Sequence, residues 1–363
     1  MVTKTMDRDF SDLPVPPGEL LAEELEERGM SQKELAERTG RPEQSISEII
    51  HGKKAITHDT ALELEKVLGV SAAFWVSLEA SFRLTKARLR ELTELDKQED
   101  WLGEFPVREM RSRHLIPKSY DKREVLTAIL KFFEVASFTV LQQRQEAILD
   151  YRITPGSKVS PGALWVWLRV GEIEAQKTTT SPYDEGRFIN ALKEIRPLMA
   201  KEPKEFIPRM AELCADAGVA FVVVKEFPKS GASGVSRWLS PDKALIQLST
   251  KRRYADMFWF SFYHEAKHVL ERQRKRTFVN GIDGGLDVEA EGAADRFAQE
   301  QLIPTKDWDA FVATRAWSRP AVQSFADRIG VPPEIIVGRL QHQGLIPLDY
   351  LNNLRRRFVW SDD

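Results

Sequence analysis

The chain carries a single cysteine, Cys214, in 363 residues. That excludes an intramolecular disulfide framework and a cysteine-built zinc cluster, and it points to a reducing, cytoplasmic setting. Histidine is scarce as well, with six in all, so two of them at ligand spacing carry information. No apolar run approaches the ~20 residues of a membrane span. The stretch up to Pro17 is acidic and polar rather than leader-like, so no membrane partner is expected. Neither sign of charge is in excess: 53 Lys and Arg stand against 55 Asp and Glu, a net of -2. A chain-wide basic surface for nucleic acid is therefore excluded, and any such binding must be local. Internal repeats and long low-complexity tracts are also missing. What remains is ordinary for a globular protein, 42% hydrophobic and 30% charged. The length suffices for two or three domains, each with its own core.

Two of the scarce histidines stand four apart. His264-Glu265-Ala266-Lys267-His268 reads HExxH within an apolar run, and Glu291-Gly292-Ala293-Ala294-Asp295 follows. On a helix, positions four apart share a face, so His264 and His268 point at one spot. Two imidazoles leave a tetrahedral zinc in need of a third protein ligand and an open position for water. Glu265 projects beside them, where a carboxylate can take a proton from that water. Glu291 on a second helix is the candidate third ligand, with Glu289 as a rival. Asp295, one turn after Glu291, is placed to hold the free ring nitrogen of a ligand histidine.

The first eighty residues read as short helices between turns. Leu20, Leu21 and Leu25 line one face of a helix that stops at Gly29. Ser31 caps the next, Gln32 to Thr39, with Glu34 completing a capping box and Gly40 ending it. Pro42 opens a third helix, Glu43 to Ile50. Its expected buried face is Ile46, Ile49 and Ile50, leaving Gln44, Ser45, Ser47 and Glu48 pointing out. Two helices joined by a tight Gly-containing turn form a helix-turn-helix unit. Arg28, Lys33, Arg38, Arg41, Lys53 and Lys54 outnumber Glu34, Glu37, Glu43 and Glu48 around it, a mild local positive bias.

Those residues resemble the XRE family of repressor-like DNA-binding domains. Pro17-Gly18-Glu19, Gly29-Met30-Ser31-Gln32 and Gly69-Val70-Ser71-Ala72-Ala73-Phe74-Trp75 are more narrowly similar to its HigA-type antitoxin version. The resemblance implies that Gln44, Ser45 and Ser47 meet base edges of a double-stranded operator, while Gln32, Lys53 and Lys54 meet phosphates. It also implies a homodimer on paired half-sites.

Beyond this head, Phe82 to Asp100 has the charge pattern of a connecting helix. Helices are expected at Lys122 to Phe133 and Ala163 to Thr178, with Trp165 and Trp167 in the core and turns at Pro155-Gly156 and Pro161-Gly162. Phe206 to Ala217 reads as a helix, Val219 to Val224 and Ala244 to Ser249 as strands around a Gly/Ser loop, and Met257 to Leu270 as the motif helix. Leu245 to Ser249 is the candidate edge for binding a substrate backbone by strand addition. Helices at Val322 to Ile329 and Pro333 to Gln343 precede Arg355-Arg356-Arg357, expected as an exposed basic end.

Phe258-Trp259-Phe260-Ser261-Phe262-Tyr263 leading into HExxH, followed by Ala294-Asp295-Arg296-Phe297-Ala298 and Leu302-Ile303-Pro304, resembles the ImmA/IrrE metallopeptidases. That family implies zinc on His264, His268 and Glu291, Glu265 as general base, and a regulatory protein as substrate: a repressor, antitoxin or toxin. Two residues depart from its pattern, Lys267 at a usually small position and Asp295 where asparagine is common. Tyr263, Tyr254 and His342 are candidates for stabilising the oxyanion. The expected fold is multidomain and mainly α. A tail (1–15) precedes an all-α helix-turn-helix head (16–80), then a helical connecting region (81–205). The last part is an α+β zincin-like metallopeptidase domain with C-terminal helices (206–363). Two functions are open: a regulator that also cleaves a regulatory protein, or a HigA-like antitoxin or repressor whose second half binds a toxin or effector without cutting.

Overall fold

Cap residues and apolar spacing set out five helices among the described residues of the first compact unit, Met1–Glu99. In this computed structural model the described residues are 14–148, 159–250, 254–271, 278–280 and 288–359. Most of the tail at 1–15 and the Pro155-Gly156 turn lie outside them. The helices are α1 (Pro17–Glu27), α2 (Gln32–Thr39), α3 (Glu43–Ile50), α4 (His58–Leu68) and α5 (Ala72–Asp96). Ser31 Oγ accepts from the Glu34 backbone N–H at 3.1 Å, so the cap forms. The Glu34 carboxylate does not return to Ser31 but pairs with Arg38 one turn on. Gly40 adopts φ 68°, the left-handed geometry that turns the chain from α2 toward α3. Leu21, Leu35, Ile46, Leu64 and Trp75 are buried at the centre of this core. Gly18 has no room for a side chain: a Cβ there would stand 2.2 Å from the Ile49 carbonyl oxygen.

The second unit, Asp100–Asp363, is mixed. Its leading helices are α6 (Trp101–Glu104), α7 (Val107–Ser112), α8 (Lys122–Phe133), α9 (Phe138–Ile148), α10 (Pro161–Lys177), α11 (Glu185–Ile195) and α12 (Pro203–Asp216). The strands β1 (Val219–Val224), β2 (Gly234–Ser240) and β3 (Lys243–Ser249) follow. The motif helix α13 (Ala255–Leu270), β4 (Phe278–Asn280) and α14 (Val288–Leu302) come next. The chain closes through α15 (Thr305–Ala313), α16 (Arg319–Ile329) and α17 (Pro333–His342). The sheet order is β1-β3-β2-β4, with β1 and β3 parallel and the other pairs antiparallel.

β3 is therefore interior, not the free edge expected for Leu245–Ser249. Helices cover both of its faces, so even Gln247 is fully buried, its amide donating to the Trp167 carbonyl of α10. Ile246 and Leu248 face the large core with Phe258, Phe262 and Ala266 of α13. Leu245 faces the other way, with Ala220 and Ala175 of α10. Trp165 and Trp167 are buried as expected, and the Trp167 indole N–H donates to the Val224 carbonyl. The strand β2 escaped sequence reading because Gly234, Ser236 and Ser240 break its apolar alternation. Among the described residues, no helix is long and apolar enough to cross a membrane.

Candidate functional site

Helix α13 is apolar almost all round, so it lies in the interior and carries its polar motif there. His264, Glu265 and His268 keep 3%, 0% and 2% of their surface. Imidazoles and a carboxylate so enclosed need partners. Helix α14 supplies them. His264 Nε2 lies 3.1 Å from Glu291 Oε2, His268 Nε2 lies 3.4 Å from Glu291 Oε1, and the two Nε2 atoms are 3.2 Å apart. Tetrahedral bonds of ~2.0–2.1 Å to zinc place neighbouring donor atoms roughly 3.3 Å apart, a spacing close to that of the two Nε2 atoms and of each from one Glu291 oxygen. His264, His268 and Glu291 are the one such group among the described residues. On its other side, His264 Nδ1 donates to Asp295 Oδ1 at 2.9 Å. Glu289, the rival ligand, is exposed and outside the group.

The charges are tightly interlocked. Burial opposes a proton on His264, but hydrogen bonds to the Asp295 and Glu291 carboxylates outweigh it and push the ring up to about 10. Burial likewise works to raise Glu291, and its bonds to the two histidines reverse that, bringing it down to about 2. Glu265 is held above the usual carboxylate range by burial, against the pull of both histidines and of Ser236.

Ser236 is the residue that sequence reasoning missed. Its hydroxyl donates to Glu265 Oε2 at 2.7 Å, while Glu265 Oε1 is buried with no hydrogen-bond partner among the described residues. Ser236 pairs with Ile246 and Gly234 with Leu248, so both face α13 from β2. A Cβ at Gly234 would stand 2.9 Å from Glu265 Oε1, and glycine there makes room for the carboxylate. No local signal links Ser236 to a glutamate 29 positions later.

Lys267 pairs with Glu271 at 3.2 Å and lies beside the Phe297 ring. Other expectations change. Tyr263 does not serve the site: one position before His264 puts it about 100° round the helix, where its buried hydroxyl donates to the Leu192 carbonyl. Tyr254 and His342 line a separate cavity beside Met257 and Phe260. The arginine run is no solvated end. Arg355 grips Asp256 through two bonds, Arg356 donates to the carbonyls of Met199 and Lys201, and Arg357 reaches the Tyr254 hydroxyl. Their partners lie some 100 to 160 positions earlier, outside any window of local pattern.

In the head, Gln44 is exposed and donates to Glu48 at 3.0 Å, and Lys53 is exposed. Ser47 and Gln32 are half-buried. Ser45 is not an outward residue: it is 5% exposed, and Lys54 Nζ donates to its hydroxyl at 2.9 Å. It sits beside Ile46 on the flank of α3 that packs inward, a boundary position that apolar spacing does not mark. Ile50, expected to be buried, is only half-buried. Arg28, Arg38 and Arg41 are tied to Glu24, Glu34 and Glu63, which thins the positive bias.

With this geometry in place, comparison with known proteins bears on the head. The family model described as helix-turn-helix matches residues 21–75. Virulence-associated protein A of Dichelobacter nodosus is 36% identical over 63 residues, 17% of this chain and 62% of that protein. An uncharacterized HTH-type transcriptional regulator, YddM, of Escherichia coli (strain K12) is 31% identical over 20% of this chain and 76% of its own length. Among solved structures, an addiction module antidote protein of a HigA family from Coxiella burnetii is 35% identical. It covers 23% of this chain and 92% of its own, with a TM-score of 0.22. Pseudomonas aeruginosa antitoxin HigA with higBA promoter is 27% identical over 23% of this chain and 94% of its own, with a TM-score of 0.22. All of these matches fall on a small part of the chain, the first of them spanning less than two thirds of its relative.

Proposed function

The chain belongs to the helix-turn-helix family, and from that premise we propose a DNA-binding regulator whose second unit is a zinc endopeptidase of the ImmA/IrrE type. The observation that carries the second half is the donor group of His264, His268 and Glu291, in which the two Nε2 atoms are 3.2 Å apart and each lies 3.1 to 3.4 Å from one oxygen of the Glu291 carboxylate. A second feature fits a bound metal. Glu265 keeps one oxygen buried and unpartnered directly beside the histidines, an arrangement that is costly without a guest to face it. His264, His268 and Glu291 would hold the ion, and Asp295 would fix the His264 ring through Nδ1. Bound there, zinc would supply the Lewis acid for a scissile peptide carbonyl. Glu265 takes the proton of the attacking water on Oε1, while Ser236 anchors Oε2 and fixes the carboxylate plane. Full burial keeps bulk water from competing for that proton. The substrate is a regulatory protein, a repressor, antitoxin or toxin. In the head, Gln44 and Ser47 read bases while Gln32, Lys53 and Lys54 meet phosphates, on a two-fold operator bound by a homodimer.

One observation favours a second reading, a HigA-like antitoxin or repressor that binds a toxin without cutting. The Tyr263 hydroxyl is engaged by the Leu192 carbonyl, and the other two candidate oxyanion donors, Tyr254 and His342, line a separate cavity. Zinc content of the purified chain tests the premise common to both. One equivalent in the wild type, lost in His264→Ala and in Glu291→Ala, is expected; a wild type that takes up no zinc when supplied sinks the metal assignment. Glu265→Gln then separates the readings, because only a peptidase loses its function while retaining zinc and DNA.

A further inference from the structure

A cavity of about 560 Å³ opens beside α13, one turn before the first histidine. It lies among α13, α14, α17 and the segment that follows α17. Its volume is in the ~300–1,000 Å³ range of small-molecule sites and exceeds what a single side chain fills. Met257, Phe260, Leu302, Ile303, Ile335 and Leu348 give it apolar walls. Phe260 belongs also to the metal-site neighbourhood, its ring centroid 6.1 Å from that of His264.

Most polar groups of the lining answer one another. Asp256 is held by Arg355 at 2.7 and 3.2 Å, Arg355 also donates to Gln341 Oε1, and the Gln341 amide donates to the Leu348 and Tyr350 carbonyls. Arg339 is different. Its guanidinium lies 4.4 Å over the Trp308 ring and donates through Nη1 alone, to the Gln299 and Ile303 carbonyls at the end of α14. Among the described residues no carboxylate is within ion-pair distance of it; Asp309 and Glu300 act on it only through space. A half-buried cation on the wall of an apolar cavity, with no carboxylate bonded to it among the described residues, is an arrangement that receives an anionic head group.

We propose that this cavity is a binding site for a small amphipathic organic anion, an aryl or alkyl carboxylate, whose apolar body lies between Phe260 and Leu302 and whose acid group meets Arg339. The site is independent of zinc and of cleavage. Its position against the N-terminal half of α13 makes it a means by which a metabolite biases the metal helix.

The test uses the full chain and 1-anilinonaphthalene-8-sulfonate, an aryl anion whose fluorescence reports enclosure. Saturable one-to-one binding is expected, displaced by 2-naphthoate at least tenfold better than by neutral 2-naphthalenemethanol. Arg339→Met should weaken naphthoate tenfold or more and erase that preference, whereas Arg339→Lys should retain part of it. Met257→Trp, which fills the cavity, should abolish binding with the far-ultraviolet circular dichroism unchanged. Non-saturable probe binding, equal displacement by the alcohol, or naphthoate affinity untouched by both Arg339→Met and Met257→Trp overturns the proposal.

Discussion

Metal uptake at the candidate centre should be a proton exchange, and its pH dependence is worked from two carboxylates. Asp295 and Glu291 hold the His264 ring protonated up to about 10 in the metal-free protein. A charged imidazole has no lone pair to give, so the metal must displace that proton. At pH 7 the ring stands three pH units below its midpoint, and at ~1.4 kcal/mol per unit the displacement costs about 4 kcal/mol. Glu291 titrates near 2, so it is already ionised and adds no proton of its own above pH 4. The sign follows: raising pH removes the competing proton, so zinc affinity must rise with pH. With one proton released per metal between pH 6 and 8, the association constant should grow tenfold per unit, about a hundredfold across the window. Competition against a chromophoric chelator, with the full chain at pH 6, 7 and 8, measures it. Asp295→Asn removes one of the groups that hold the proton and should flatten the slope, while costing about 10- to 100-fold in affinity through loss of ring orientation. A wild-type affinity independent of pH over this range would refute the reasoning, since it would mean that the ring is neutral before the metal arrives.

Ser236→Ala should destabilise the second unit by about 1.5–3 kcal/mol, the usual loss for a hydrogen bond to a charged group. Denaturant unfolding checks this, and a midpoint equal to wild type would mean that the bond to Glu265 is absent. Gly18→Ala forces a methyl to within 2.2 Å of one backbone carbonyl oxygen and 2.3 Å of a second. Backbone cannot swing aside as a side chain can, so about 1–3 kcal/mol is expected to be lost from the head, seen as a lower melting temperature and weaker DNA binding. Lys53→Ala should reduce the salt dependence of DNA binding by roughly one unit of slope and affect all sequences alike. Gln44→Ala should cost about 1–3 kcal/mol on the preferred sequence and little elsewhere, read by titration of specific and scrambled duplexes. Ser45→Ala should act through stability instead, because its hydroxyl is enclosed and bonded to Lys54.

The head was legible in the sequence because its determinants are local. Ser31 caps α2, Gly40 turns the chain at φ 68°, and Leu21, Leu35 and Ile46 stand at helical spacing, all within a few residues of what they control. Ser45 shows where such reading stops. Its burial depends on which side of Ile46 the helix rolls toward its neighbours, and periodicity leaves boundary positions undecided. The strand Leu245–Ser249 was legible as a strand but not as an interior one. Apolar residues at successive positions Ala244, Leu245 and Ile246 signal that both faces are covered, whereas the polar Gln247 masks that signal until its bond to the Trp167 carbonyl is seen.

At the candidate metal site the same distinction divides what could be read from what could not. His264 and His268 announce themselves because the helix brings residues four apart together, and Asp295 follows Glu291 by the same spacing. Which face of α14 meets α13 is a tertiary fact, as the grouping of Glu291 rather than Glu289 with the two histidines shows. Ser236 and Arg339 are further from legibility still, since neither lies in a motif. One matters because β2 carries it under α13; the other because, among the described residues, it bonds backbone carbonyls and no carboxylate. Arg355, Arg356 and Arg357 make the opposite case. A run of three cations in sequence suggests a surface that attracts acid, yet here it is a clasp holding Asp256, the Met199 carbonyl and Tyr254 together. Charge in a sequence gives the sign of a contact and not its partner. Where partners are a hundred residues distant, only the packed chain decides whether a cation is structural, like Arg355, or left open to a ligand, like Arg339.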